Sequence, residues 1–126
     1  MTANRSILLQ SLAVGLVAGF LLAGAALAHH GWTGYDDDRE LTLTGTIQQA
    51  SYTNPHSMIR LQVTSPMAKT WVAVLAPPAR MSRRGLTQEM LQVGATATVV
   101  GYPHMQKGEE MRAERIIISG QTIELR

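Results

Sequence analysis

The sequence predicts a mostly-β domain with one short helical segment: a small barrel of five to six strands behind an N-terminal signal helix. Three observations carry this. Apolar and polar residues alternate with a period of two in several short runs, as at Leu41, Leu43, Gly45 and Ile47. Groups containing Pro or Gly separate the runs. One stretch between the third and fourth runs abandons the alternation and opens on Pro77-Pro78. The order strand, strand, strand, helix, strand, strand is that of the OB-fold, a five-stranded Greek-key barrel. An open β-sandwich with the helical stretch as an insertion is the rival.

Three segments are expected. Residues 1–28 read as a secretory signal peptide: Arg5, an apolar run from Ile7 to Ala28, and a small-x-small ending at Ala26-Leu27-Ala28. The alternative is an uncleaved anchor, because about 20 apolar residues suffice to span a bilayer. Cleavage after Ala28 leaves no membrane span and makes His29 the first residue. Residues 29–39 (HHGWTGYDDDR) form an irregular arm, since two glycines and three successive aspartates disfavour helix and strand alike.

The barrel is expected over 40–126. Its first strand is ELTLTGTIQQASY, with Gly45 marking a bulge or sharp bend. TNPH breaks it. SMIRLQVT places Ile59, Leu61 and Val63 on one face, and TWVAVLA follows a turn at SPMAK. The stretch from Pro77 to Gly94 predicts one or two short helices, with Gly85 as a stop and Thr87 as a cap. ATATVVGYPHM and EMRAERIIISG form a hairpin around QKGEE, and QTIEL adds an edge strand.

Composition narrows function. Eleven Lys/Arg stand against nine Asp/Glu, and one of the basic residues, Arg5, lies in the leader, so no basic patch points to nucleic acid. The chain has no cysteine, which excludes disulfides and thiolate metal sites. No hydrolase or phosphate-loop motif is present, and no enzymatic activity is expected.

The candidate chemistry lies in histidine and methionine. All four histidines, His29, His30, His56 and His104, follow the leader. His56 and His104 each follow a proline, whose fixed φ constrains the backbone that aims the imidazole. Both fall in links expected to flank one face of the barrel. Met58 and Met105 lie beside them in sequence. Imidazole and thioether together suit copper, above all Cu(I). A freed α-amine, with a pKa of ~7.7–8.0, would give His29 two nitrogen donors on one residue. A third nitrogen would complete a histidine brace; alternatively, His30 as second residue would bind Cu(II) with the amine and the intervening amide. Against these stand plainer readings: turn punctuation for the Pro-His pairs, a solvated dipeptide for His29-His30, and core filling for methionine. Asp36-Asp37-Asp38 reads as a solvated turn rather than a calcium loop, and Arg80, Arg83 and Arg84 as an exposed helix face.

At AHHGW, GTIQQASYTNPH and VGATATVVGYP the chain resembles a family of small bacterial exported proteins of unknown function. The matching residues are His29, His30, Thr53, Asn54, Pro55, His56, Trp71, Gly94, Gly101 and Pro103; Gly31-Trp32 stands where that pattern has Ser-Phe. The resemblance implies periplasmic export and a β-barrel, and no activity. The architecture is also similar to small periplasmic copper chaperones on an OB-like barrel, which hold Cu(I) with His, Met and a nearby Trp. The expectation is a periplasmic binding protein with copper at His29, His30, His56, His104, Met58 and Met105, or else a non-metal binding or assembly module with an envelope protein partner.

Overall fold

In a computed structural model, residues 31–126 are described. The chain divides into two units, Met1–Thr33 and Gly34–Arg126, and the second is the barrel. The expected signal helix, with His29 and His30, lies outside the described residues. Among the described residues, no helix is long and apolar enough to cross a membrane.

Six strands form: β1 (Leu41–Ser51), β2 (Met58–Val63), β3 (Lys69–Val74), β4 (Thr96–Pro103), β5 (Glu110–Ile118) and β6 (Gln121–Glu124). Helix α1 (Pro78–Arg83) and a 3-10 turn (Gln88–Leu91) separate β3 from β4. The sheet runs β3-β2-β1-β4-β5-β6, and a further parallel pairing of β3 with β5 closes the first five strands into a barrel. Only Val72, Ala73 and Val74 pair there, with Glu110, Met111 and Arg112. This is the OB-type closure, and β6 is the additional strand at the edge.

β1 serves both sides of the barrel. Leu41 to Thr46 pair with β4, while Gly45 to Ser51 pair with β2. The bulge falls between Ile47 and Gln49, not at Gly45. The glycine has a different cause: a Cβ there would collide with the Gln62 carbonyl across the ladder. The core behind these strands is aliphatic, with Ile47, Leu61, Val99, Met111 and Ile116 all fully buried. The period-two pattern puts them there, because alternate side chains share one face. Truncating one of the large ones to Ala costs ~2–5 kcal/mol.

The helical stretch follows its sequence signals. Pro78 begins α1, where its missing N–H costs nothing, and Gly85 ends it at φ +87. Thr87 occupies the cap position of the 3-10 turn, yet its side chain makes no capping bond. From α1, Arg80 and Arg84 reach the C-terminal segment and donate to the carbonyls of Leu125 (3.4 Å) and Glu124 (3.2 Å). Part of the basic strip therefore covers a strand edge.

Candidate functional site

Two links carry the candidate side chains of the barrel, and the fold treats them differently. In the β1–β2 link, the backbone N–H of Ser57 bonds the Ala76 carbonyl (3.0 Å) and its carbonyl accepts from Leu75 (2.8 Å). These bonds carry the β2–β3 ladder beyond Met58. The Ser57 side chain is buried, and its hydroxyl has no hydrogen-bond partner among the described residues. Strand alternation then sends His56 and Met58 outward on the same side, with Met58 42% exposed. Burial, followed by the charges of Arg112 and Arg80, holds the His56 imidazole below its ordinary value. The ring is therefore neutral at pH 7, with a lone pair for a ligand.

Arg112 stands between the two links. It sits on β5 opposite Tyr102 on one side and Val74 on the other, and is only 5% exposed. Met111, Arg112 and Ala113 are all buried, so β5 is covered on both faces here. Arginine stays protonated even when burial lowers its pKa, as it does here. Its charge also acts on Tyr35.

The other link, the β4–β5 hairpin, is closed around His104. Its Nδ1 accepts two backbone N–H groups, Gln106 at 3.0 Å and Lys107 at 3.1 Å. Its Nε2 lies against Gly34, where a Cβ would come within 3.2 Å. Gly34 also has φ +96, so glycine is required twice over. Tyr35 packs edge-on against the imidazole, ring centroids 5.0 Å apart, and forms an isolated bridge with His104. The Tyr35 hydroxyl donates to Glu110 Oε1 at 2.8 Å. Burial, reinforced by that bond, raises the phenol's pKa. Two backbone bonds complete the latch: Asp36 N–H to the Pro103 carbonyl (2.9 Å) and Met105 N–H to the Gly34 carbonyl (2.8 Å). The aspartate run behaves as a turn, with Asp38 N–H on Asp36 Oδ1.

Several expectations change with this geometry. No hydrogen bond, ion pair or ring contact joins His56 to His104. With Nδ1 bonded and Nε2 packed on Gly34, His104 meets a metal only if the hairpin contacts break. Met105 is 65% exposed on the hairpin and has its backbone, not its sulfur, engaged. Trp71 packs on the core, at the position opposite Leu61, whereas Met58 lies opposite Val74. Among the described residues, no three His, Cys, Asp or Glu side chains converge to hold a metal. Within the barrel, the His56 imidazole and the thioethers of Met58 and Met105 make no hydrogen bond among the described residues, whereas His104 Nδ1 does. The sequence alone does not point to Tyr35, Glu110 or Arg112; an aromatic directly after a glycine in an otherwise polar arm is the one visible signal.

The family model that matches spans residues 18–112. The chain belongs to the family of unknown function DUF6152. The DUF6152 match takes in every candidate residue, His29 and His30 included, and ends at Arg112, before the rest of β5 and β6. No curated protein matches the chain. Among solved structures it is similar to TiaS in its complex with tRNA and ATP, at 17% identity and TM-score 0.48, covering 72% of this chain and 19% of that one. It is also similar to the ZRD-deleted mutant of TiaS in complex with agmatine, at 18% identity and TM-score 0.47, covering 72% and 25%. The chain thus spans a quarter or less of either protein.

Proposed function

We propose that this DUF6152 chain is an exported, non-enzymatic binding protein of the periplasm that takes a copper ion as cargo. One arrangement carries the reading: Met58 is exposed two residues beyond His56, and burial with the nearby arginines holds the imidazole pKa below its ordinary value. Imidazole plus thioether is a donor pair for Cu(I). The nearby Arg112 and Arg80 penalise a divalent ion about twice as much as a monovalent one, which also favours Cu(I). Two donors do not complete a site. His30, and His29 with an amine freed by cleavage after Ala28, are the other candidate donors, and both lie outside the described residues.

Mass spectrometry of the exported protein locates the N-terminus, and competition titration with a Cu(I) chelator measures affinity. His56→Ala, Met58→Leu and a residue added before His29 should each weaken binding at least ~10-fold, with the barrel still folded. Micromolar binding indifferent to all three overturns the copper reading. A second reading has its own support in the ring of His104, whose nitrogens serve the hairpin and the arm. On that reading the barrel is a non-metal module holding an envelope partner.

A further inference from the structure

Two strand edges of the sheet, those of β6 and of the end of β1, are managed in opposite ways. An exposed edge invites pairing with another chain, and proteins usually blunt it. β6 is blunted: it is four residues long, and the Arg84 and Arg80 guanidiniums occupy the carbonyls of Glu124 and Leu125. The C-terminal half of β1 is not. β4 accompanies β1 only as far as Ile47, whose N–H bonds Ala95 and whose carbonyl accepts from Gly94. There the chain turns away into the 3-10 segment. Gln49 to Ser51 pair with β2 on one side, and among the described residues 48–51 make no backbone hydrogen bond on the other. They are Gln48, Gln49, Ala50 and Ser51, with no Lys, no Pro and no charge to deter a partner.

Ala50 of this edge lines a wedge, a cleft of about 510 Å³ bounded by β1 and the 3-10 segment. Ala50 and Tyr52 form one wall; Gln88, Glu89, Leu91 and Val93 form the other. Its size falls within the range of ligand sites, ~300–1,000 Å³. One lining side chain is fixed in place, since the Tyr52 hydroxyl donates to the Leu86 carbonyl at 2.9 Å. Val93 is 70% exposed beside Glu89, the charged group of the lining.

We propose that this wedge is a peptide-binding site, in which an extended segment of a partner protein adds as a strand to the edge of β1. A main-chain ladder supplies the attraction and pockets for alternate side chains supply the choice. The residue facing Ala50 and Val93 is small and apolar; a neighbouring Lys or Arg meets Glu89. A second copy of this chain does not fit, because a whole barrel cannot enter the wedge and four edge residues fall far short of the ~1,000 Å² a stable interface buries. Nucleic acid is disfavoured by the acidic wall and the lack of Lys or Arg in the lining. The lining contains none of the His or Met candidates, and the site needs no metal.

The test is an NMR titration of the ¹⁵N-labelled full chain in detergent, with the acetylated and amidated pentapeptide Thr-Val-Lys-Val-Thr as probe. Amide shifts are expected at residues 48–52 and 88–93, saturating below about 1 mM. Methylating alternate peptide nitrogens should abolish them, since the ladder needs those donors. Glu89→Lys should weaken the probe ~10-fold and favour a probe carrying Glu in place of Lys. No shift at that concentration overturns the proposal. So do shifts confined to the outer cleft of Met58, Arg60 and Val72, or a Glu89→Lys variant that binds both probes equally.

Discussion

Asn54-Pro55-His56 and Tyr102-Pro103-His104 are the same short motif, a polar or aromatic residue, a proline and a histidine at the end of a strand. The barrel uses them in opposite ways. His104 turns inward on its own hairpin and satisfies two amides, while Gly34 and Tyr35 close over the ring. His56 satisfies nothing: among the described residues, no hydrogen bond or ring contact engages its side chain, and its surroundings only keep it neutral. The difference arises from the residues on the C-terminal side of each histidine. After His104 come five hairpin residues whose N–H groups need acceptors, and buried or turn amides rarely go unpaired. After His56 comes Ser57, whose backbone is already in the ladder. A histidine in a link is structural when the adjacent turn leaves donors unmet, and becomes available for ligands when it does not.

The largest test of that contrast is a pair of alanine variants. His104→Ala removes the one acceptor of two amides and a ring contact, and should cost about 1–3 kcal/mol in denaturant unfolding. His56→Ala should change stability by less than about 0.5 kcal/mol. His104→Asn, whose carbonyl can replace Nδ1 as acceptor, should recover part of the loss. Equal costs at the two histidines would remove the distinction.

The contrast also marks the limit of what the sequence discloses. Strand alternation is legible because each strand buries one face, so Ile59, Leu61 and Val63 declare it. The helical stretch is legible because Pro77-Pro78 and Gly85 are local signals. Gly45 misleads, since a strand glycine serves either a bulge or a close approach, and only the position of Gln62 decides which. The β3–β5 closure rests on three parallel pairs between distant segments and has no local signature. The copper candidates share this problem: the choice between ligand and acceptor for His104 depends on where Gln106 and Lys107 point their amides. Arg112 looks in sequence like one of the alternating outward residues of EMRAER; burial of both faces of β5 is a tertiary fact.

A middle-sized effect sharpens the role of the latch. Tyr35→Phe keeps the edge-on contact with His104 and deletes only the hydroxyl bond to Glu110. The expected cost is about 0.5–1.5 kcal/mol, less than His104→Ala, because one hydrogen bond is lost and the carboxylate can turn to water. Hydrogen exchange should quicken at Asp36 and Met105, whose amides tie the arm to the hairpin, while β2 and β3 stay protected. Quickened exchange throughout the barrel would mean that the latch and the barrel unfold as one unit.

The smallest effect concerns the protonation of His56. Burial, then Arg112, then Arg80, holds its pKa below the ordinary 6.5, so the unfolded chain binds this proton more readily than the folded one. The folded state's advantage is therefore complete above pH 6.5. It shrinks as the pH falls through 6.5 and is lost once the pH passes the folded value. An NMR titration of the His56 ring should show a midpoint below 6.5, and Arg80→Met should move it back toward 6.5 by removing one of the two charges. His56→Gln should flatten the part of the unfolding pH dependence that lies in this window. Because the ring is partly open to water, the stability change should be slight even where the shift in midpoint is plain. A midpoint above 6.5 would mean that the field at this link is negative, which would reverse the preference for a monovalent ion.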